Sequence, residues 1–159
     1  MENKFINTEY FEKDKGGLSL SLLVFDKPEG LLEYVSRRIS ELENTLRELN
    51  ERYTEVKIRA ERLLEIEKLF NEILGVKLSN IREMDIKGVR VVMDARPTDE
   101  VKVYEEVIAS LQERIDVLKR IHREVISPLV ERLKTYENIS FIVEVSNDIP
   151  TRILIRLGE

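Results

Sequence analysis

The sequence predicts an α+β chain: a long antiparallel two-helix coiled-coil hairpin, a small antiparallel β-sheet from N- and C-terminal hairpins, and a short β-containing tip between the helices. Three observations predict it. Two long runs place apolar residues at alternating spacings of three and four, the heptad rhythm of helices that bury one stripe. Short segments at both chain ends and between the runs alternate apolar and polar residues, the period of half-buried strands. The intervening connector is too short to span the length of the first helix in return, which separates its strands from the terminal ones.

Residues 1–25 form the first hairpin. Phe5, Ile6, Tyr10 and Phe11 precede a turn at Asp14 to Gly17, and Leu18, Leu20, Leu22 and Val24 then alternate with Ser19 and Ser21. Asp26 is positioned to cap a helix, with Glu29 reaching back and Pro28 in the first turn, where a missing N–H costs nothing. The first helix then carries the seam Leu32, Val35, Ile39, Leu42, Leu46, Leu49, Tyr53, Val56, Ala60 and Leu63, with Glu67 out of pattern before Phe70 and Leu74. Such a rod is about 70 Å long. Gly75 suits the residue after its end, since it accepts a left-handed conformation.

Residues 75–97 make the tip, with strand-like Val89, Val91 and Met93 and a partner strand expected around Val76 and Leu78. Thr98 is the expected cap of the second helix, with Asp99 and Glu100 at the positive end of its dipole. Its seam runs through Val101, Tyr104, Ile108, Leu111, Ile115, Leu118, His122, Val125, Leu129 and Tyr136. Pro128 cannot donate to the carbonyl of Glu124, so a kink or a fresh start capped by Ser127 is expected there. Residues 139–159 close the chain as a hairpin: Ile139, Phe141, Val143 and Val145, a loop at Ser146 to Pro150, then Ile153, Ile155 and Leu157. The organisation expected is one elongated domain, with a terminal sheet (1–25 and 139–159), a helical shaft (26–74 and 98–137) and a distal tip (75–97).

Composition narrows the function classes. The chain has 159 residues, no cysteine and a net charge of −5, so disulfide staples, zinc–thiolate sites and cysteine nucleophiles are excluded. No stretch reads as an export signal or a membrane span, and a soluble, cytoplasmic protein is expected. Charged residues make up 36% with both signs interleaved, a composition like that of thermophile proteins.

Candidate sites are few. His122, the only histidine, has Leu118, Lys119, Val125 and Ile126 at the helical spacings where a ligand or catalytic partner would stand. It reads as a polar seam residue that fixes helix register. Glu41, Glu48 and Glu55 recur every seven residues, as a solvated coiled-coil face does. No glycine-rich phosphate loop or nucleophile elbow is present, and no catalytic, cofactor or metal residue is expected.

The apolar faces are wider than a two-stranded seam requires. Leu64 and Ile66 on the first helix, and Val107, Ile121 and Ile126 on the second, are the expected contacts of a homodimer or higher oligomer. A 23-residue connector favours pairing of the two helices within one chain. Residues 75–97 carry five basic and three acidic residues, net +2. Lys77, Arg82, Lys87 and Arg90 there, with Arg152 and Arg156 on the last strand, are the candidate contacts for a protein partner or nucleic acid. The expected role is that of a non-enzymatic scaffold or adaptor that self-associates and joins a larger complex. In outline the plan resembles the helix, β-hairpin, helix plan of prefoldin-like chaperones, which implies a holdase reading through Ile81, Met84 and Ile86. Strands outside both helices set this chain apart from that plan. Nucleic-acid association through the basic tip is the further alternative.

Overall fold

The computed structural model describes residues 6–7, 13–15, 18–74, 82–93 and 95–158. It is a mixed helix-and-sheet fold whose strands all pair antiparallel. In chain order the elements are β1 (Ile6–Asn7), β2 (Lys13–Lys15), β3 (Leu18–Phe25), α1 (Pro28–Leu74), β4 (Arg82–Ile86), β5 (Val89–Met93), α2 (Pro97–Ile121), a π-helical turn (His122–Ile126), α3 (Ser127–Leu133), β6 (Ile139–Ser146) and β7 (Ile149–Leu157). The chain divides into two compact units, residues 1–44 with 112–159, and residues 45–111.

In the first unit, β3 and β6 form the middle of a five-stranded sheet in the order β1-β3-β6-β7, with β2 also on β3. The N- and C-terminal hairpins therefore share one sheet, joined by the register Phe25↔Phe141 and Leu23↔Val143. Strand alternation places Leu23, Phe25, Ile139, Phe141, Val143 and Val145 on the buried face. Leu31, Val35 and Leu42 of α1, Ile115 and Leu118 of α2, Ile126 of the π-helical turn and Val130 of α3 complete this core. Asp14 and Lys15, expected in a turn, pair instead with Ser19 and Leu18. Phe5, Tyr10 and Phe11 lie outside the described residues. The β6–β7 turn is narrower than the expected loop: Ser146 pairs with Ile149, and Asn147 and Asp148 both adopt positive φ, 49° and 69°. Two left-handed residues match the strand twist, and Asn and Asp tolerate them.

Helix starts differ from expectation by a residue or two. α1 begins at Pro28 and tightens at once, with the Gly30 N–H donating to the Lys27 carbonyl at 3.0 Å. α2 is capped at Arg96 rather than Thr98. The Arg96 N–H donates to Asp99 Oδ2 at 2.9 Å, and the Asp99 and Glu100 N–H groups donate to the Arg96 carbonyl at 3.0 and 3.1 Å. Pro97 at the first helical position and an acid two residues on make this cap, whatever the cap residue itself carries.

Pro128 produces neither a break nor a new cap. The Ser127 N–H donates to the His122 carbonyl, five residues back, and Ile121, Ile126 and Ser127 all keep right-handed helical angles. The wide turn inserts one residue into the helix, and the buried series slips by one. Of the seam positions expected there, Val125 and Tyr136 are exposed and Leu129 is half-buried, while Ile126 and Val130 are buried and Leu133 is half-buried.

In the second unit, Val56, Ala60 and Leu111 are buried, and Leu49, Tyr53, Leu63 and Glu67 are half-buried positions of the α1 seam. The Tyr53 hydroxyl donates to Glu105 Oε1 at 2.8 Å, Arg59 lies 3.8 Å from Glu100, and Arg96 pairs with Glu67. The strand opposite Val89–Met93 is Arg82–Ile86 rather than one at Val76 and Leu78, because Lys87 and Gly88 form a two-residue turn with φ of 53° and 84°.

Candidate interaction surfaces

Of the five residues expected at an oligomer interface, one is buried and the other four are divided between the two units. Leu64, Ile66 and Val107 are exposed in the second unit, whereas Ile121 is half-buried in the first. Ile126 is 0% exposed, turned into its own core by the extra residue of the π-helical turn, so it cannot meet a neighbour.

The apolar surface on α1 is larger than the sequence pattern suggested. Ile66, Leu69, Phe70 and Ile73 follow the spacing 0, 3, 4, 7 that makes one helical stripe, all four are exposed, and together they line an apolar recess of about 290 Å³. Leu69 was not among the expected residues. It lies outside both the seam and its flanking series, so only the sum of four side chains on one stripe reveals it.

Of the candidate cationic contacts, Lys87 and Arg90 are exposed on the β4–β5 hairpin, Arg90 with a partner of its own. The Gly88 N–H donates to Asp85 Oδ1 at 3.0 Å, so an acid sits within the same turn. Ile86 and Val89, flanking that turn, are exposed apolar residues. Lys77, Ile81 and the side chains of Arg82 and Met84 lie outside what is described. Arg152 and Arg156 are exposed on β7, with Leu154 between them on the same face. Arg156 Nε donates to Ser140 Oγ at 3.3 Å, and Arg152 stands opposite Glu144 in register.

Three polar groupings lie in the first unit. Asp148 Oδ2 accepts from Arg38 Nη2 at 2.9 Å and lies 3.6 Å from Arg114 Nη1, while Arg38 Nη1 donates to Glu41 at 2.9 Å. The hydrogen bond to Asp148 pushes the Arg38 guanidinium still further above its ordinary value. This cluster borders a cavity of about 270 Å³ that Ser21, Tyr34 and Asn147 also line. Arg38 and Asp148 are 110 residues apart in the chain, and the sequence marks only a loop at Ser146 to Pro150 there. His122 Nε2 lies 2.9 Å from Ser36 Oγ. No third group engages this imidazole among the described residues, and the pair is a polar contact between α1 and the π-helical turn. Lys119 pairs with Glu43 at 2.8 Å, a contact that raises the lysine pKa.

Among the described residues no group of three potential metal ligands occurs, and no helix is long and apolar enough to cross a membrane. Comparison with family models, curated proteins and solved structures finds no match for this chain.

Proposed function

We propose that this chain is a non-enzymatic, cytoplasmic scaffold or adaptor whose two long helices pair as a coiled-coil hairpin and which self-associates to join a larger complex. The observation that carries this reading is the α1 stripe of Ile66, Leu69, Phe70 and Ile73. Four neighbouring side chains, each exposed by 43–71%, surround an opening with no polar lining. A stripe of this kind is stable in water when a second helix covers it, and an identical copy meets it with the same residues under two-fold symmetry.

Sedimentation equilibrium of the wild type against Ile73→Glu tests the reading. Covering the exposed part of Ile73 contributes about 1–2 kcal/mol per copy, and a two-fold contact counts it twice, so the variant weakens association about 100-fold. A wild type that sediments as a monomer at every concentration, or a variant that associates as well as wild type, removes the proposal. Exposed Ile86 and Val89 support a second reading, in which the β4–β5 turn holds unfolded clients. Suppression of client aggregation that is lost in Ile86→Ser with Val89→Ser distinguishes it.

A further inference from the structure

We infer that the outer edge of β7 is a docking site for an extended segment of a partner protein, added antiparallel to the sheet and carrying two acidic residues four apart with apolar residues between. The site uses none of the α1 stripe residues and stands whether or not that stripe associates.

Backbone geometry defines it first. β7 ends the strand order, and no strand lies beyond it among the described residues. Antiparallel pairs alternate between those that exchange backbone bonds and those that do not. The Gly158 N–H donates to the Asn138 carbonyl at 2.6 Å, which makes Ser140/Arg156, Ile142/Leu154 and Glu144/Arg152 the bonded pairs. Counting from the other end agrees. Ser146 and Ile149 close the two-residue turn as a bonded pair, and the register shift between Glu144 and Val145 leaves Thr151 as one extra residue. The N–H and C=O groups of Ile153, Ile155 and Leu157 therefore point away from β6, to the side where no strand lies among the described residues. Pro150, which has no N–H to offer, and the bulged Thr151, whose hydroxyl is held by Glu144 at 3.0 Å, close the edge before Ile153. What remains is an unprotected run of five residues.

Side chains then select the partner. Leu154, Ile155 and Leu157 are 49%, 44% and 78% exposed, unusual for a strand at a free edge, which natural sheets tend to blunt. On one face an incoming strand meets Ile153, Ile155 and Leu157; on the other it meets Arg152, Leu154 and Arg156. β7 contains no acid, so a second copy is a poor occupant. In every antiparallel self-pairing that uses the outward groups of 153, 155 and 157, an arginine lands opposite or diagonal to an arginine of the other strand, and like charges so placed repel. A strand with Asp or Glu facing Arg152 and Arg156 meets attraction at both places. Arg152 also has Glu144 beside it in register, so Arg156 is the stronger anchor.

The test uses the full chain and the probe peptide acetyl-Ser-Val-Glu-Val-Thr-Val-Glu-Val-Ser-amide, labelled with fluorescein and followed by anisotropy. Saturable binding is expected, with weakening as salt rises, no binding of the peptide with both Glu replaced by Lys, and roughly tenfold weaker binding to Arg156→Glu. Ile155→Pro removes an outward N–H without touching the β6 ladder; it abolishes binding, whereas Ile155→Thr retains it. Circular dichroism confirms that each variant keeps its fold. Hydrogen exchange with the wild type supplies a second readout: the peptide protects the amides of Ile153, Ile155 and Leu157. Equal binding of the Glu and Lys peptides, indifference to Ile155→Pro in a folded variant, or no binding of the Glu peptide overturns the inference. Protection of those amides that rises with protein concentration alone assigns the edge to a second copy and overturns it too. An oligouridylate bound in place of the peptide, lost in Arg156→Glu and kept in Ile155→Pro, reassigns the arginines to phosphate. Sedimentation of the β7 variants is expected to match wild type, so failure here is distinct from failure of self-association through α1.

Discussion

Truncating Ile126 and Val125 to alanine, one at a time, separates two registers of the C-terminal helix. An unbroken heptad buries Val125 and leaves Ile126 at the flank; the π-helical turn does the opposite, with Ile126 at 0% and Val125 at 48% exposure. Ile126→Ala removes a fully buried branched side chain from a core that holds Leu118, Val130 and Phe141, and the lost transfer energy plus the cavity amounts to about 2–4 kcal/mol. Val125→Ala removes half-exposed methyls and gains helix propensity, so its net effect is within about 0.5 kcal/mol of zero. Urea titration followed by far-UV circular dichroism reads both. At about 2–4 °C per kcal/mol for a chain of this size, Ile126→Ala also lowers the melting temperature by roughly 4–16 °C. Equal losses, or a larger loss at Val125, refute the slipped register and with it the reason for removing Ile126 from any intermolecular contact.

Tyr53 donates to Glu105, which raises its pKa from the ordinary phenol value of about 10. The neutral phenol is the favoured form in the folded chain, so its contribution is complete below that value and is lost as pH rises through the raised one. Ultraviolet titration is expected to show one of the five tyrosines ionising late in the wild type, and earlier in Glu105→Gln. Asp148→Asn keeps a residue that suits the left-handed turn position but cancels the charge that Arg38 and Arg114 share; a loss of about 1–2 kcal/mol is expected by urea titration, and it shrinks as salt rises. A variant as stable as wild type at low salt shows that the two arginines gain nothing from Asp148.

Local chemistry made much of this fold readable. Alternation in Ile139 to Val145 marks the buried face of β6, and the seam from Val35 to Ala60 marks the sheltered side of α1. Errors arose where one residue of backbone geometry changes every later assignment. Nothing in the spacing of Leu118, His122 and Val125 signals a wide turn; Pro128 does, but it is equally compatible with a kink. The cap at Arg96 has no signature in the cap residue itself, because the bonding is done by the Asp99 side chain three residues on. The apolar stripe was half visible, through Ile66 and Phe70. The Arg38, Asp148 and Arg114 cluster had no local signature, since ion pairs between distant segments depend on how β6 and β7 are brought against α1 and α2. The open edge of β7 was visible only as two arginines on one side of a strand; which backbone groups face outwards follows from the pairing with β6.

A helix that carries a π-helical turn holds a spare residue. Elsewhere along α2, losing one residue would rotate everything beyond it by about 100° and carry Val130 away from its neighbours. Between His122 and Ile126 the same deletion would only tighten the coil, leaving the sides of the rod in place. The Pro128 ring would then press on the carbonyl one regular turn before it, so a shortened chain that tolerates the deletion is expected to require a second change, at that proline.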